Sequence, residues 1–84
     1  MPYNIELKTS VVKALKHLPR NAQIKIAQKI ALLADHPRPI YCIRMSDSPY
    51  YRIRCGDYRI IYDIQDVKLV VLILEIGHRK DVYQ

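Results

Sequence analysis

The sequence predicts an α+β domain in which a helical hairpin packs on one face of a small sheet. Three observations carry that prediction: apolar residues alternate near the start, two short helical-period segments meet at a proline, and the second half is β-rich and broken by two polar turn signals. The expected order is an N-terminal strand, a helical hairpin and then an antiparallel meander. At 84 residues, half of them hydrophobic, residues 1–84 are expected to form one domain with a real but thin core.

"YNIELK" places Tyr3, Ile5 and Leu7 on one face and Asn4, Glu6 and Lys8 on the other, the period of a half-buried strand. Thr9 or Ser10 can cap the helix that follows, whose apolar positions Val11, Val12, Leu15 and Leu18 recur at helical spacing until Pro19 interrupts them. A second helix is predicted from about Arg20 to Ala34, with Ile26, Ile30 and Leu33 on one side. "DHPRPIYCIRMSDSPY" holds three prolines and no sustained period, so it reads as a connector, with an edge strand around Ile40 to Arg44. "YYRIRC", a tight turn at Gly56-Asp57, "YRIIYDI", a polar turn at Gln65-Asp66 and "LVVLILEI" then form the meander. The last run is apolar on both faces and is expected to be central and buried.

Fourteen Lys and Arg against eight Asp and Glu give a formal charge of +6, which favours an anionic partner. No acidic residue lies between Glu6 and Asp35, while Lys8, Lys13, Lys16, Arg20, Lys25 and Lys29 accumulate there. That clustering suits phosphates or an acidic protein; for any single lysine, a solvated helix face is the simpler reading. Cys42 and Cys55 form neither a CxxC unit nor a disulfide scaffold and read as reduced packing residues. No apolar run reaches the ~20 residues that span a bilayer, and the first residues lack the layout of a signal peptide, so the expectation is a cytoplasmic protein with no membrane partner.

The stretch "YYRIRCGDYRIIY" carries the sharpest signal. Alternation puts Tyr51, Ile53 and Cys55 on one strand face and Arg52 and Arg54 on the other, roughly 7 Å apart, near the spacing of successive phosphates. Across the Gly56-Asp57 turn, Arg59 has the parity to join them. Like charges repel at such distances, so three converging arginines imply a bound anion; salt bridges to Asp47, Asp57 or Asp63 on a solvent face would explain one of them. The tail "GHRKDVYQ" adds His78, Arg79 and Tyr83 behind a glycine. Histidine transfers protons near neutrality, whereas arginine stays charged and stabilises developing negative charge. All seven aromatic residues are tyrosines; Tyr3, Tyr51, Tyr58 and Tyr62 are expected in the core, and Tyr83 is a candidate for stacking on a base. His17, His36, Cys42, Cys55 and His78 are dispersed singly, and no nucleotide-binding or hydrolase motif is present, so neither a metal nor a cofactor is expected.

The hairpin "YRIRCGDYRIIY" and the terminal "GHRKDVY" together resemble the RelE toxins of the RelE/ParE superfamily of bacterial toxin-antitoxin systems. The likeness extends over essentially the whole chain, including "LPRNAQIKI" in the helical hairpin. It implies a small endoribonuclease that enters the ribosomal A site and cuts mRNA without a metal, by attack of a ribose 2′-hydroxyl on the adjacent phosphate, leaving a cyclic phosphate and a 5′-hydroxyl. The family's basic residues on the hairpin strands and in the tail match Arg52, Arg54, Arg59 and Arg79, and its tail tyrosine matches Tyr83. Implied partners are the ribosome, the mRNA and a cognate RelB-like antitoxin that holds the toxin inactive. Some members carry lysines where this chain has Arg52 and Arg54. A lysine can serve as a base and an arginine cannot, so proton transfer is expected to move to His78, with Tyr83 as its partner or a stacking platform. Lys13, Lys16, Arg20, Lys25 and Lys29 would anchor a second surface on ribosomal RNA. Two other classes share much of this pattern: a ParE-like protein that inhibits DNA gyrase by binding alone, and a plain RNA-binding module for which positive charge suffices.

Overall fold

A computed structural model describes residues 2–78. Strand β1 (Asn4–Leu7) leads into helices α1 (Thr9–Lys16) and α2 (Arg20–Leu32), followed by strands β2 (Ile43–Arg44), β3 (Tyr51–Cys55), β4 (Tyr58–Gln65) and β5 (Val70–His78). The sheet order is β1-β5-β4-β3-β2. The meander β3-β4-β5 is antiparallel, as its turns require, and β1 joins β5 in parallel, so the sheet is mixed. β5 is therefore interior, while β4 occupies the middle.

Helix α1 starts without the hydroxyl cap that Thr9 or Ser10 was expected to provide. Lys8 is the N-cap and no side chain caps the helix. The Lys8 N–H still donates to the Ile73 carbonyl at 3.1 Å, and its own carbonyl accepts from Val11 and Val12, so the chain passes directly from sheet pairing into the first helical turn. Pro19 caps α2, and the Gln23 side-chain amide donates to the Leu18 carbonyl at 2.9 Å, which closes the bend between the helices. α2 ends at Leu32, two residues short of the expected Ala34, whose carbonyl instead accepts the Tyr3 N–H at 2.7 Å.

Val11, Ile26, Ile30 and Leu33 pack onto Ile53, Ile60, Tyr62, Val71 and Ile73. The helices thus cover one sheet face, the one that carries Ile53, Ile60 and Tyr62. Tyr62 is fully buried; its hydroxyl donates to the Pro37 carbonyl at 2.8 Å, and its ring stacks on Tyr51 at 5.9 Å. Arg38 donates to Tyr51 and to both Asp66 carboxylate oxygens, and Tyr3 also donates to Asp66. These bonds pin the proline-rich connector to the N-terminus and to the β4-β5 loop. No helix among the described residues is long and apolar enough to cross a membrane.

Candidate functional site

The arginine cluster is built by one turn. Gly56 has φ +61° and is followed by Asp57 with negative φ, the pattern of a two-residue type II′ hairpin that pairs Cys55 with Tyr58. Counting back from that pair places Arg54 directly opposite Arg59, and Arg52 opposite Ile61. Ile53 and Ile60 in the same ladder are buried under the helices, so Arg52, Arg54 and Arg59 share the helix-free face, as their spacing predicted.

The three differ in environment. Arg54 is exposed, while Arg59, only 4% exposed, is the one buried charged residue among those described. The Arg52 Nε is buried without a hydrogen-bond partner. Among the described residues, Arg52 and Arg54 form no ion pair with Asp47, Asp57 or Asp63; the ion pair present joins Arg38 to Asp66 at 2.8 Å on the exposed rim. A shallow recess of about 40 Å³ lies between Arg54, Asp57 and Arg59. A recess of that size has room for small polar groups such as phosphate oxygens. Arginines directly across a ladder repel, and a site that faces two of them toward one recess is suited to bind an anion.

His78 does not join this cluster. Its Cα partner is Tyr58, and the two rings meet edge to face at 5.3 Å on the helix-covered side, whereas Arg59 pairs with Gly77. The cause is a bulge in β5. Ile61 pairs with Glu75 and Tyr62 with Ile73, which leaves Leu74 as an extra residue and reverses the parity of everything after it. Before the bulge Val71 and Ile73 face the helices; after it Ile76 and His78 do, and Glu75 and Gly77 face the arginines. The register thus sets His78 on the opposite sheet face from Arg52, Arg54 and Arg59, where the sequence reading had grouped it with them. Arg79 and Tyr83 lie outside the described residues.

The helical cations form a separate surface. Lys13, Lys16, Arg20 and Lys25 are exposed on the two helices, on the far side of the sheet from Arg54. Lys29 lies over the Tyr41 ring at 4.2 Å, and Lys25 borders a groove of about 200 Å³ between α2 and the hairpin turn. Among the described residues no three His, Cys, Asp or Glu side chains converge to hold a metal ion. Glu75 is the feature that strand alternation alone did not reveal: it is exposed on the arginine face because of the bulge.

Comparison with known proteins places this architecture. The family model described as ParE toxin of type II toxin-antitoxin system, parDE, matches residues 5–83, so the chain belongs to that toxin family. Within the wider RelE/ParE superfamily it is similar to RelE1 of Methanocaldococcus jannaschii, 30% identical over 89 residues that cover 100% of this chain and 98% of the relative. The fold is similar to that in the archaeal RelE-RelB complex from Pyrococcus horikoshii, with TM-score 0.84, 30% identity, and 94% and 97% of the two chains covered. It is also similar to the toxin-antitoxin complex RelBE2 of Mycobacterium tuberculosis, with TM-score 0.81, 26% identity, and 94% and 100% covered. The chain is a RelE-like toxin of a type II toxin-antitoxin system.

Proposed function

We propose that this toxin is a ribosome-dependent mRNA endoribonuclease that acts in the cytoplasm and blocks translation by cutting within the A site. The observation that carries the reading is the direct opposition of Arg54 and Arg59 on the helix-free face, with Arg52 two residues away on the same face. In this reading Arg54 and Arg59 grip the scissile phosphate. They offset the charge that builds on its oxygens as the 2′-oxygen attacks, a role that needs fixed donors and no metal. Arg52 holds a neighbouring phosphate through the outer nitrogens of its guanidinium. Arg79 and Tyr83 are assigned to the same site by the family pattern alone. The exposed lysines of α1 and α2, on the opposite side, anchor the protein on ribosomal RNA. Complexes with RelB among structural relatives support a RelB-like antitoxin as the partner that holds this toxin inactive.

A second reading, inhibition of DNA gyrase without catalysis, is favoured by the match to the ParE family model. One experiment separates the two. The purified protein is added to ribosomes programmed with a defined message, RNA ends are mapped, and DNA supercoiling is assayed in parallel. Cuts inside A-site codons that leave a 5′-hydroxyl, with supercoiling intact, support the endonuclease. Intact message with blocked supercoiling assigns the protein to the gyrase class.

A further inference from the structure

Attack by a 2′-hydroxyl requires an acceptor for its proton, and the structure removes His78 from the arginine face. Arginine cannot take that role because it stays protonated in proteins. Glu75 is a carboxylate carried onto that face by the β5 bulge, in the register row next to Arg54–Arg59–Gly77. Arg59 and Glu75 are diagonal neighbours on adjacent strands, a relation of about 7–8 Å that long side chains bridge. Gly77, directly opposite Arg59, adds no side chain between them. Glu75 is exposed and, among the described residues, makes no ion pair, so its oxygens are available to a ligand.

A second observation points to what would sit beside it. Glu75 borders a recess of about 340 Å³ on the helix-free face, lined also by Lys8, Asp47, Ser48, Tyr50, Ile61 and Leu74; Asp47, in the β2-β3 connection, is the second carboxylate there, and Glu75 is the one in the register row beside the arginines. Small-molecule sites begin at about 300 Å³, so the recess has room for one nucleoside. Ile61 and Leu74 give it an apolar floor, and Tyr50 and Lys8 supply an aromatic ring and a cation at its edge. A nucleotide whose 3′-phosphate lies on Arg54 and Arg59 can place its sugar at the mouth of this recess, next to the Glu75 carboxylate.

We propose that Glu75 is the general base of the cut, an inference that rests on the endoribonuclease reading above. The 2′-oxygen bonds to phosphorus as its proton passes to the Glu75 carboxylate. The bond from phosphorus to the 5′-oxygen breaks, that oxygen takes a proton from solvent, and the products are a 2′,3′-cyclic phosphate and a 5′-hydroxyl. Glu75 then returns its proton to solvent. The recess selects the nucleoside on the 5′ side of the scissile bond.

The test is single-turnover cleavage on programmed ribosomes by the wild type, Glu75→Gln and Glu75→Ala, with ribosome association measured by co-sedimentation. Glu75→Gln keeps the size and hydrogen-bonding capacity of the side chain and is expected to keep the melting temperature and ribosome association. It should lose about 10²–10⁴-fold in cleavage rate, the usual worth of a general base. Glu75→Ala should regain rate when formate is added, which a purely structural residue would not do. Cleavage by Glu75→Gln within about tenfold of wild type, or a loss matched by lost association, overturns the assignment. If the wild type itself leaves the message intact, it is the endoribonuclease reading that fails, a result distinct from cutting that survives without Glu75.

Discussion

Replacing Arg54 by glutamine is predicted to make the isolated toxin more stable and a weaker nuclease. Arg54 and Arg59 are paired directly across the β3-β4 ladder, which sets their Cβ atoms about 4.5–5.5 Å apart. Two unit charges ~6 Å apart in an effective dielectric of about 20 repel by about 3 kcal/mol. Arg54 is exposed, and solvent screening brings that toward the ~0.2–1 kcal/mol typical of cross-strand pairs. For a chain of this size, relief of that repulsion raises the melting temperature by about 1–8 °C. The gain should be largest near 0.01 M salt, where the Debye length is about 30 Å, and should vanish near 1 M, where it is about 3 Å. Loss of one charge-assisted phosphate contact, about 1.5–3 kcal/mol, should slow single-turnover cleavage by roughly 10–150-fold. The assays are thermal melts of wild type and Arg54→Gln across a salt series, beside cleavage on programmed ribosomes. A variant that melts below wild type at low salt and still cuts at the wild-type rate would refute the claim that the arginines are gathered to hold an anion.

Three further substitutions probe the frame that positions the site. Tyr62→Phe removes the hydroxyl that satisfies the Pro37 carbonyl and should cost about 1–2 kcal/mol in urea unfolding, with no direct effect on RNA contacts. Gly56→Ala meets no atom within 4 Å yet forces an L-residue to φ +61°, so about 1–2 kcal/mol should be lost, and cleavage should fall as the turn that aligns Arg54 with Arg59 loosens. The Arg38 guanidinium, followed by the Tyr3 hydroxyl, holds the Asp66 carboxyl below the usual carboxylate range. A depressed folded-state value stabilises the protein above the unfolded pKa of about 3.9, and the gain is lost as pH falls through the lower folded-state value. The melting temperatures of wild type and Asp66→Asn should therefore differ at neutral pH and converge in acid.

The face that carries the arginines was legible because two local rules determine it. Strand alternation separates Arg52 and Arg54 from Ile53, and a two-residue turn at Gly56-Asp57 leaves one register for Arg59. The helices were legible for a similar reason: Ile26, Ile30 and Leu33 recur at helical spacing, and all three are buried. The position of His78 was not legible by the same means. A bulge in an all-apolar run such as "VVLIL" changes which residues face the helices without changing the composition of either face, so periodicity gives no warning of it. The parallel pairing of β1 with β5 depends on long-range packing that strand period does not encode. The Arg38–Asp66 pair was hidden because both residues lie in loops, where neither period nor spacing implies proximity.

The central claim is that buried Arg59, opposite Arg54, makes this toxin a nuclease, and single-turnover cleavage of ribosome-bound message by Arg59→Lys tests it most directly. Lysine keeps the charge but loses the planar fork that pairs with a phosphate. The account predicts a cleavage rate lowered by roughly tenfold or more with ribosome association preserved, because the fork serves the transition state rather than docking. Cleavage at the wild-type rate, or supercoiling inhibition by both proteins with no message cut by either, would contradict it.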